Sequence, residues 1–93
     1  MPYITEELRK AIDDGMIPMS PGELNYQLSR SVDTYIKDQG GASYSNYNQV
    51  IGVLECLKLE LYRRFIGPYE EKSLLINGEV FFHDPNRVKI PHV

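Results

Sequence analysis

The stretch from Asn46 to Ile66 most constrains how this chain can fold. It holds no proline and a single glycine, Gly52, so it predicts one helix of about 30 Å. A helix with so little polar surface is usually covered on most sides. At about 100° per residue, its apolar side chains form a stripe that we expect to face the chain's own core. That stripe comprises Tyr47, Val50, Ile51, Leu54, Leu57, Leu61 and Phe65.

A second stripe on the same helix mixes polar and apolar side chains. It comprises Asn48, Gly52, Glu55, Leu59, Tyr62, Arg63 and Ile66. Because a lone buried charge is costly, we expect Glu55 to pair with Lys58. Two interpretations stay open: a polar lock in a helix–helix interface, where Gly52 lets two backbones approach, or the floor of a ligand pocket.

Start and stop signals place two shorter helices before the long one. Thr5 is the predicted N-cap of a first helix that ends at Gly15. Ser20, Pro21 and Glu23 form a capping box that opens a second helix. We expect this second helix to run to Lys37 or Asp38, before the glycine pair at 40–41.

The long helix is predicted to begin at a Ser45 or Asn46 cap and to be kinked or broken at Pro68. The sequence therefore predicts an all-α fold of three to four helices around one long central helix. We expect a single helical domain over residues 1–93, with residues 83–93 as an irregular, extended tail.

Length and charge narrow the choice of partners. A chain of 93 residues has too few elements to cover the long helix, so we expect a homodimer or a dimer of dimers. Its predicted interface is the stripe of Gly52, Glu55, Leu59 and Tyr62. A net charge of −3 disfavours broad nucleic-acid binding. With no apolar run near the ~20 residues of a membrane span and no signal sequence, we expect a cytoplasmic protein without a membrane partner.

Catalytic and metal-binding patterns are missing from the sequence. Cys56 is the only cysteine, which excludes an intrachain disulfide and a thiolate cluster for zinc. His83 and His92 have no matched acidic spacing, so no metal is expected. There is no phosphate-binding glycine loop and no nucleophile elbow. We therefore predict a non-catalytic protein without a cofactor; an enzyme whose site follows no known pattern is the remaining alternative.

Seven tyrosines and several cations suit a planar, anionic ligand. In this hypothesis three tyrosines stack on a base, three cations meet phosphate, and three polar side chains read the edges of the ligand. The stacking candidates are Tyr26, Tyr62 and Tyr69, the cations are Arg30, Lys58 and Arg63, and the polar readers are Asn25, Asn48 and Glu55.

Five segments carry a family resemblance: PGELNY from Pro21, VIGVLE from Val50, KLE from Lys58, YRR from Tyr62 and PYE from Pro68. In these the chain resembles a family of short, functionally uncharacterised proteins found in phages and bacteria. The resemblance covers most of the chain and brings no activity with it, but it implies a phage origin.

Two functional hypotheses follow. Small phage proteins with oligomeric helical folds include ones that sequester nucleotide immune signals, so the leading hypothesis is capture of a nucleotide-derived signalling molecule between subunits, a counter-defence role. The alternative is a protein–protein interaction module that binds and inhibits a host protein, with the same tyrosines as anchors.

Overall fold

The computed structural model describes residues 4–81. The elements in this range are α1 (Glu6–Asp13), α2 (Pro21–Asp38), α3 (Tyr44–Leu61), a π-helical turn (Tyr62–Ile66) and α4 (Gly67–Asn77). All regular secondary structure among the described residues is helical, which confirms the all-α prediction. Without a gap, α3, the π turn and α4 follow one another as the predicted long helix. The tail predicted at 83–93, with His83 and His92, lies outside the described residues.

The chain divides into two compact units between Leu54 and Glu55. Described residues 4–54 of the first unit contain α1, α2 and the first part of α3. Described residues 55–81 of the second contain the rest of α3, the π turn and α4.

Both ends of α1 lie where the sequence predicts. The Thr5 Oγ1 atom accepts a hydrogen bond from the Leu8 backbone N–H at 3.2 Å, as an N-cap does. After the end of α1, Gly15 adopts a φ of 110°, a backbone conformation that residues other than glycine rarely adopt. The chain reversal lets the Met16 N–H donate to the Ala11 carbonyl at 2.9 Å, which satisfies an otherwise free carbonyl.

The capping box of α2 is also confirmed. The Ser20 hydroxyl accepts a hydrogen bond from the Glu23 N–H at 3.1 Å. In return, the Glu23 carboxylate accepts from the Ser20 hydroxyl at 2.9 Å and from the Met19 N–H at 3.4 Å. With Pro21 as its first residue, α2 therefore starts from a locally determined point and runs to Asp38.

The predicted start of α3 is wrong by two residues. Ser43, not Ser45 or Asn46, provides the cap: its hydroxyl accepts a hydrogen bond from the Asn46 N–H at 3.0 Å. The Asn46 side chain has another role, because it is buried and its amide donates to the carbonyls of Gln39 at 3.1 Å and Gly41 at 2.8 Å. Asn46 thus closes the turn between α2 and α3 instead of capping a helix.

The prediction that the apolar stripe of the long helix faces the core is right for Val50 and wrong for the other members of the stripe. Ile12 and Val50 are the only buried apolar residues among those described. In the first unit, α2 and its following turn contact the side of α3 that carries Asn46 and Gln49, which accepts a 2.6 Å hydrogen bond from the Tyr35 hydroxyl. The neighbouring stripe residues remain exposed because none of the described residues of their own unit covers them. They are Tyr47, Ile51 and Leu54 in the first unit and Leu57, Leu61 and Phe65 in the second.

A π-helical turn lies just before Pro68, where the sequence predicts a kink or break, and the helix continues through this turn into α4. A proline has no N–H and its ring crowds the carbonyl four residues earlier, so a regular α-helix cannot pass through it undisturbed. The π turn widens the helix at this point, and the Gly67 N–H donates to the Tyr62 carbonyl five residues earlier. A Cβ atom on Gly67 would lie only 2.9 Å from that carbonyl oxygen, so glycine fits here where a larger residue would not.

We predict opposite effects for the same substitution at the two glycines of the long helix. Gly67→Ala should lower the free energy of unfolding by roughly 1–3 kcal/mol, the usual cost of overpacking. Its control, Gly52→Ala, should raise stability by about 0.5–1 kcal/mol, since an added Cβ has nothing within 4 Å and alanine favours a helix. Urea unfolding followed by circular dichroism measures both, and equal shifts would contradict the role given to Gly67.

A second prediction concerns the turn between α2 and α3. Asn46→Asp removes both amide donors and places a carboxylate beside two carbonyls, so it should destabilise the protein by about 1–3 kcal/mol. Asn48→Asp introduces the same charge at an exposed position of α3 and should stay within about 0.5 kcal/mol of wild type. Denaturant midpoints that fall equally for both variants would show that charge, not the turn, is responsible.

Candidate functional site

In the first unit, two predicted ligand residues gather around the carboxylate of Asp13. The Tyr26 hydroxyl donates to Asp13 at 3.0 Å from Oδ1 and 2.9 Å from Oδ2. The Arg30 Nε lies 3.9 Å from Oδ1, and the Arg9 guanidinium carbon lies 6.0 Å from the centre of the Tyr26 ring. Since Tyr26 and Arg30 are one turn apart on α2, both can reach this point of α1.

The position of Asp13 explains why it needs these partners. It is the last residue of α1, where the negative end of the helix dipole disfavours a carboxylate. The Tyr26 hydroxyl and the Arg30 charge offset that cost and tie α1 to α2. Consequently the polar tip of Tyr26 and part of the Arg30 charge are already engaged within the chain.

This environment also changes the acidity of Tyr26. Partial desolvation, then the hydrogen bond to Asp13 and the negative charge of that carboxylate, raise the pKa of the Tyr26 hydroxyl above its ordinary value of 10.0. Arg30 and Arg9 act in the opposite direction and lower this pKa, but by less. Tyr26 is therefore a neutral hydrogen-bond donor at physiological pH.

Asn25 and Asn48, the other predicted ligand residues of the first unit, form no hydrogen bond with Asp13, Tyr26 or Arg30. Asn25 accepts a 3.3 Å hydrogen bond from the Ser29 hydroxyl, one turn later in α2. Asn48 is exposed on α3. Their assignment to a ligand stays a prediction.

In the second unit, the predicted pair of Glu55 and Lys58 is confirmed, with 3.6 Å between the carboxylate and the ammonium group. Both side chains are more than half exposed, so the pair lies in solvent and contributes little to stability. Nearby, the Glu60 carboxylate lies 2.8 Å from the Arg63 guanidinium and 3.6 Å from that of Arg64. The single negative charge of Glu60 is shared by two guanidinium groups, so these three side chains together carry a net positive charge at the π turn.

Three predicted ligand residues lie at or just after the π turn. Tyr62 and Arg63 belong to the turn itself, and Tyr69 follows in the first turn of α4 with 72% of its surface exposed. π-Helical turns are frequent at functional sites because they re-aim side chains without ending the helix. The turn therefore presents aromatic rings and a guanidinium group to solvent.

Asp13 and Glu60 are the residues that sequence reasoning missed. Both are acceptors shared by two partners. A signal existed for each: Tyr26 and Arg30 share one face of α2, and Glu60 lies three and four residues before the arginine pair. For Asp13, knowing which helices pack together was also necessary.

Within residues 4–81, no group of three or more histidine, cysteine, aspartate or glutamate side chains is placed to hold a metal ion. Every buried side-chain polar atom in this range has a hydrogen-bond partner. None of the helices described is both long and apolar enough to cross a membrane.

Over residues 4–81, these features define a small all-helical protein with little buried core and extensive exposed apolar surface. Over residues 1–80 the chain matches the domain of unknown function DUF6899, and it belongs to that family. Comparison with curated proteins and with solved structures finds no match.

We predict that Asp13→Asn lowers the pKa of Tyr26, because it removes the negative charge that opposes ionisation. The control, Asp14→Asn, makes the same charge change at the next residue and should have little effect. The Tyr26 phenol can be followed by NMR, with Tyr26→Phe to assign its signal. A Tyr26 pKa that responds equally to both substitutions would contradict the geometry of the cluster.

The same cluster predicts how stability depends on pH. The pKa of Tyr26 is higher in the folded state than its unfolded value of 10.0. The contribution of Tyr26 to folding stability is therefore fully present below pH 10.0 and is lost as the pH rises through the folded-state pKa. Tyr26→Phe should therefore reduce the alkaline loss of stability.

Proposed function

We propose that this protein is a non-catalytic binding protein that docks another protein on α3. The observation that carries the proposal is a stripe of exposed apolar residues in the first unit, which we call the α3 stripe. Its members are spaced by three or four residues and so share one side of the helix. They are Tyr44, Tyr47, Ile51 and Leu54, with exposed fractions of 86%, 50%, 64% and 38%.

The chemistry of the α3 stripe suits a protein partner. Tyrosine combines an apolar ring with a polar tip and is enriched among the residues that dominate binding energy. Fully burying a side chain such as Ile51 contributes about 1.5–3 kcal/mol. An exposed apolar helix face of this kind fits a groove on another protein, with side chains at spacings of three and four residues as anchors.

A phage origin, which the family resemblance implies, supports a host protein as the partner. If the gene is carried by a phage, the protein acts in the cytoplasm of the host. The partner is then a host protein, and its inhibition is the useful outcome for the phage. This is a role in counter-defence.

A second candidate function is capture of a nucleotide-derived signalling molecule at a subunit interface. The π turn favours it, because Tyr62, Arg63 and the exposed Tyr69 lie in or next to that turn. The two rings would stack on a base and the guanidinium group would meet phosphate. We rank this candidate second because Lys58 and Arg63 already have carboxylate partners, which lowers their attraction for phosphate.

One capture experiment separates the two candidates. The tagged full chain is recovered from the cells in which it acts, and bound proteins and heat-released small molecules are identified by mass spectrometry. The double variant Tyr47→Lys/Ile51→Lys should weaken binding of the recovered protein partner at least tenfold. The matched control, Ile17→Lys/Met19→Lys, changes equally apolar, exposed residues before α2 and should leave that binding intact.

The outcomes are distinct. Equal loss of the partner in both double variants would remove the α3 stripe as the docking surface. Recovery of a nucleotide, no protein partner and loss of that nucleotide in Arg63→Ala would overturn the leading proposal in favour of the second.

A further inference from the structure

The described part of the second unit has almost no core of its own. None of its described residues, 55–81, is classed as buried, although the unit is one helical run for most of its length. Large apolar side chains point to solvent in α3, the π turn and α4, including Leu59, Tyr62 and Leu75 at 56%, 49% and 87% exposure. A single helix gains little stability in water without packing, so this unit needs a partner surface.

The charges near the centre of the unit indicate which partner. Arg63 and Arg64 lie four and three residues before Gly67, and Glu70 and Glu71 lie three and four residues after it. Along the helix axis, the basic pair and the acidic pair are therefore arranged symmetrically about Gly67.

We propose that a second copy of this chain packs antiparallel on the second unit, with the twofold axis at Gly67. In this arrangement the Arg63–Arg64 pair of each copy lies beside the Glu70–Glu71 pair of the other. A parallel arrangement would place like charges together and is disfavoured. When the second copy runs in the opposite direction, each basic pair faces an acidic pair, so the charge pattern of the chain favours antiparallel self-association.

The arginine pair is only partly neutralised within its own chain. Within the chain, Arg63 and Arg64 share the single carboxylate of Glu60, so guanidinium donors remain. Across the range 4–81, neither Glu70 nor Glu71 takes part in an intrachain ion pair. The acidic pair of one copy therefore supplies carboxylate acceptors for the guanidinium donors that remain on the basic pair of the other copy.

The centre of the contact suits close approach of two helices. Gly67 has no side chain to separate the two backbones at the crossing point. Tyr62 and Ile66, which lie five and one residues before Gly67, are exposed by 49% and 36% and would supply apolar contact next to the charges. The charges set the direction and register, and the apolar side chains supply most of the association energy.

This contact is independent of the protein docking proposed above. It uses residues of the second unit, whereas the α3 stripe belongs to the first unit. Loss of self-association with intact partner binding, or the reverse, would therefore distinguish failure of one proposal from failure of the other.

The test is a charge-reversal series of the full chain in sedimentation equilibrium, with circular dichroism to verify helix content. The wild type should have twice the chain mass of 10.7 kDa. Arg63→Glu/Arg64→Glu and Glu70→Arg/Glu71→Arg should each raise the dimer Kd at least tenfold, because each faces like charges across the twofold axis. Mixing these two variants should give a heterodimer, and the variant carrying all four changes should dimerise again.

The matched control is Glu6→Arg/Glu7→Arg, which reverses an acidic pair in the first turn of α1 and should leave the Kd unchanged. A monomeric wild type would overturn the proposal. So would double variants that dimerise as tightly as wild type, or failure of both the mixture and the fourfold variant to restore association. Since the fourfold variant combines both double changes, its recovery also excludes misfolding as the cause of the loss.

Discussion

The buried amide of Asn46 is the interaction on which the first unit most depends. It donates to two carbonyls of the turn that leaves α2, and so fixes where the chain turns and how α3 begins. A buried amide is stable only when its donors are satisfied, and each bond to the turn meets that need while satisfying a carbonyl at a helix end. The contact of Tyr35 with Gln49 then lies one turn along the same side of α3.

Scarce burial is the main energetic feature of the described chain. Ile12 and Val50 are its buried apolar residues, while many leucines, tyrosines and isoleucines remain in contact with water. Large exposed apolar surfaces on a protein often have a binding role. The two proposals divide this surface: the α3 stripe for another protein and the second unit for a second copy.

Carboxylates organise the charged groups in both units. Asp13 holds Tyr26 and Arg30, and Glu60 holds Arg63 and Arg64. These contacts neutralise part of the positive charge that a phosphate would need. They therefore favour a protein surface over an anion site, even though the residue types suit both.

Features that depend on neighbouring residues could be predicted from the sequence. The caps of α1 and α2, a disturbance of the helix at Pro68 and the pairing of Glu55 with Lys58 all follow from groups within a few residues of one another, although the π turn itself was not predicted. For the same reason the all-α class was predictable. Of the candidate site, the residue types and their spacing on each helix could be read from the sequence.

Which side of α3 is covered could not be predicted without the packing of the helices. Apolar periodicity shows that a helix has an apolar side, but not whether the same chain supplies the cover, so Tyr47 and Ile51 were wrongly predicted to be core. The role of Asn46 depends on the turn after α2, whose carbonyls come close to α3. The role of Asp13 depends on the packing of α1 against α2. Such contacts join residues distant in sequence, and local propensity carries no information about them.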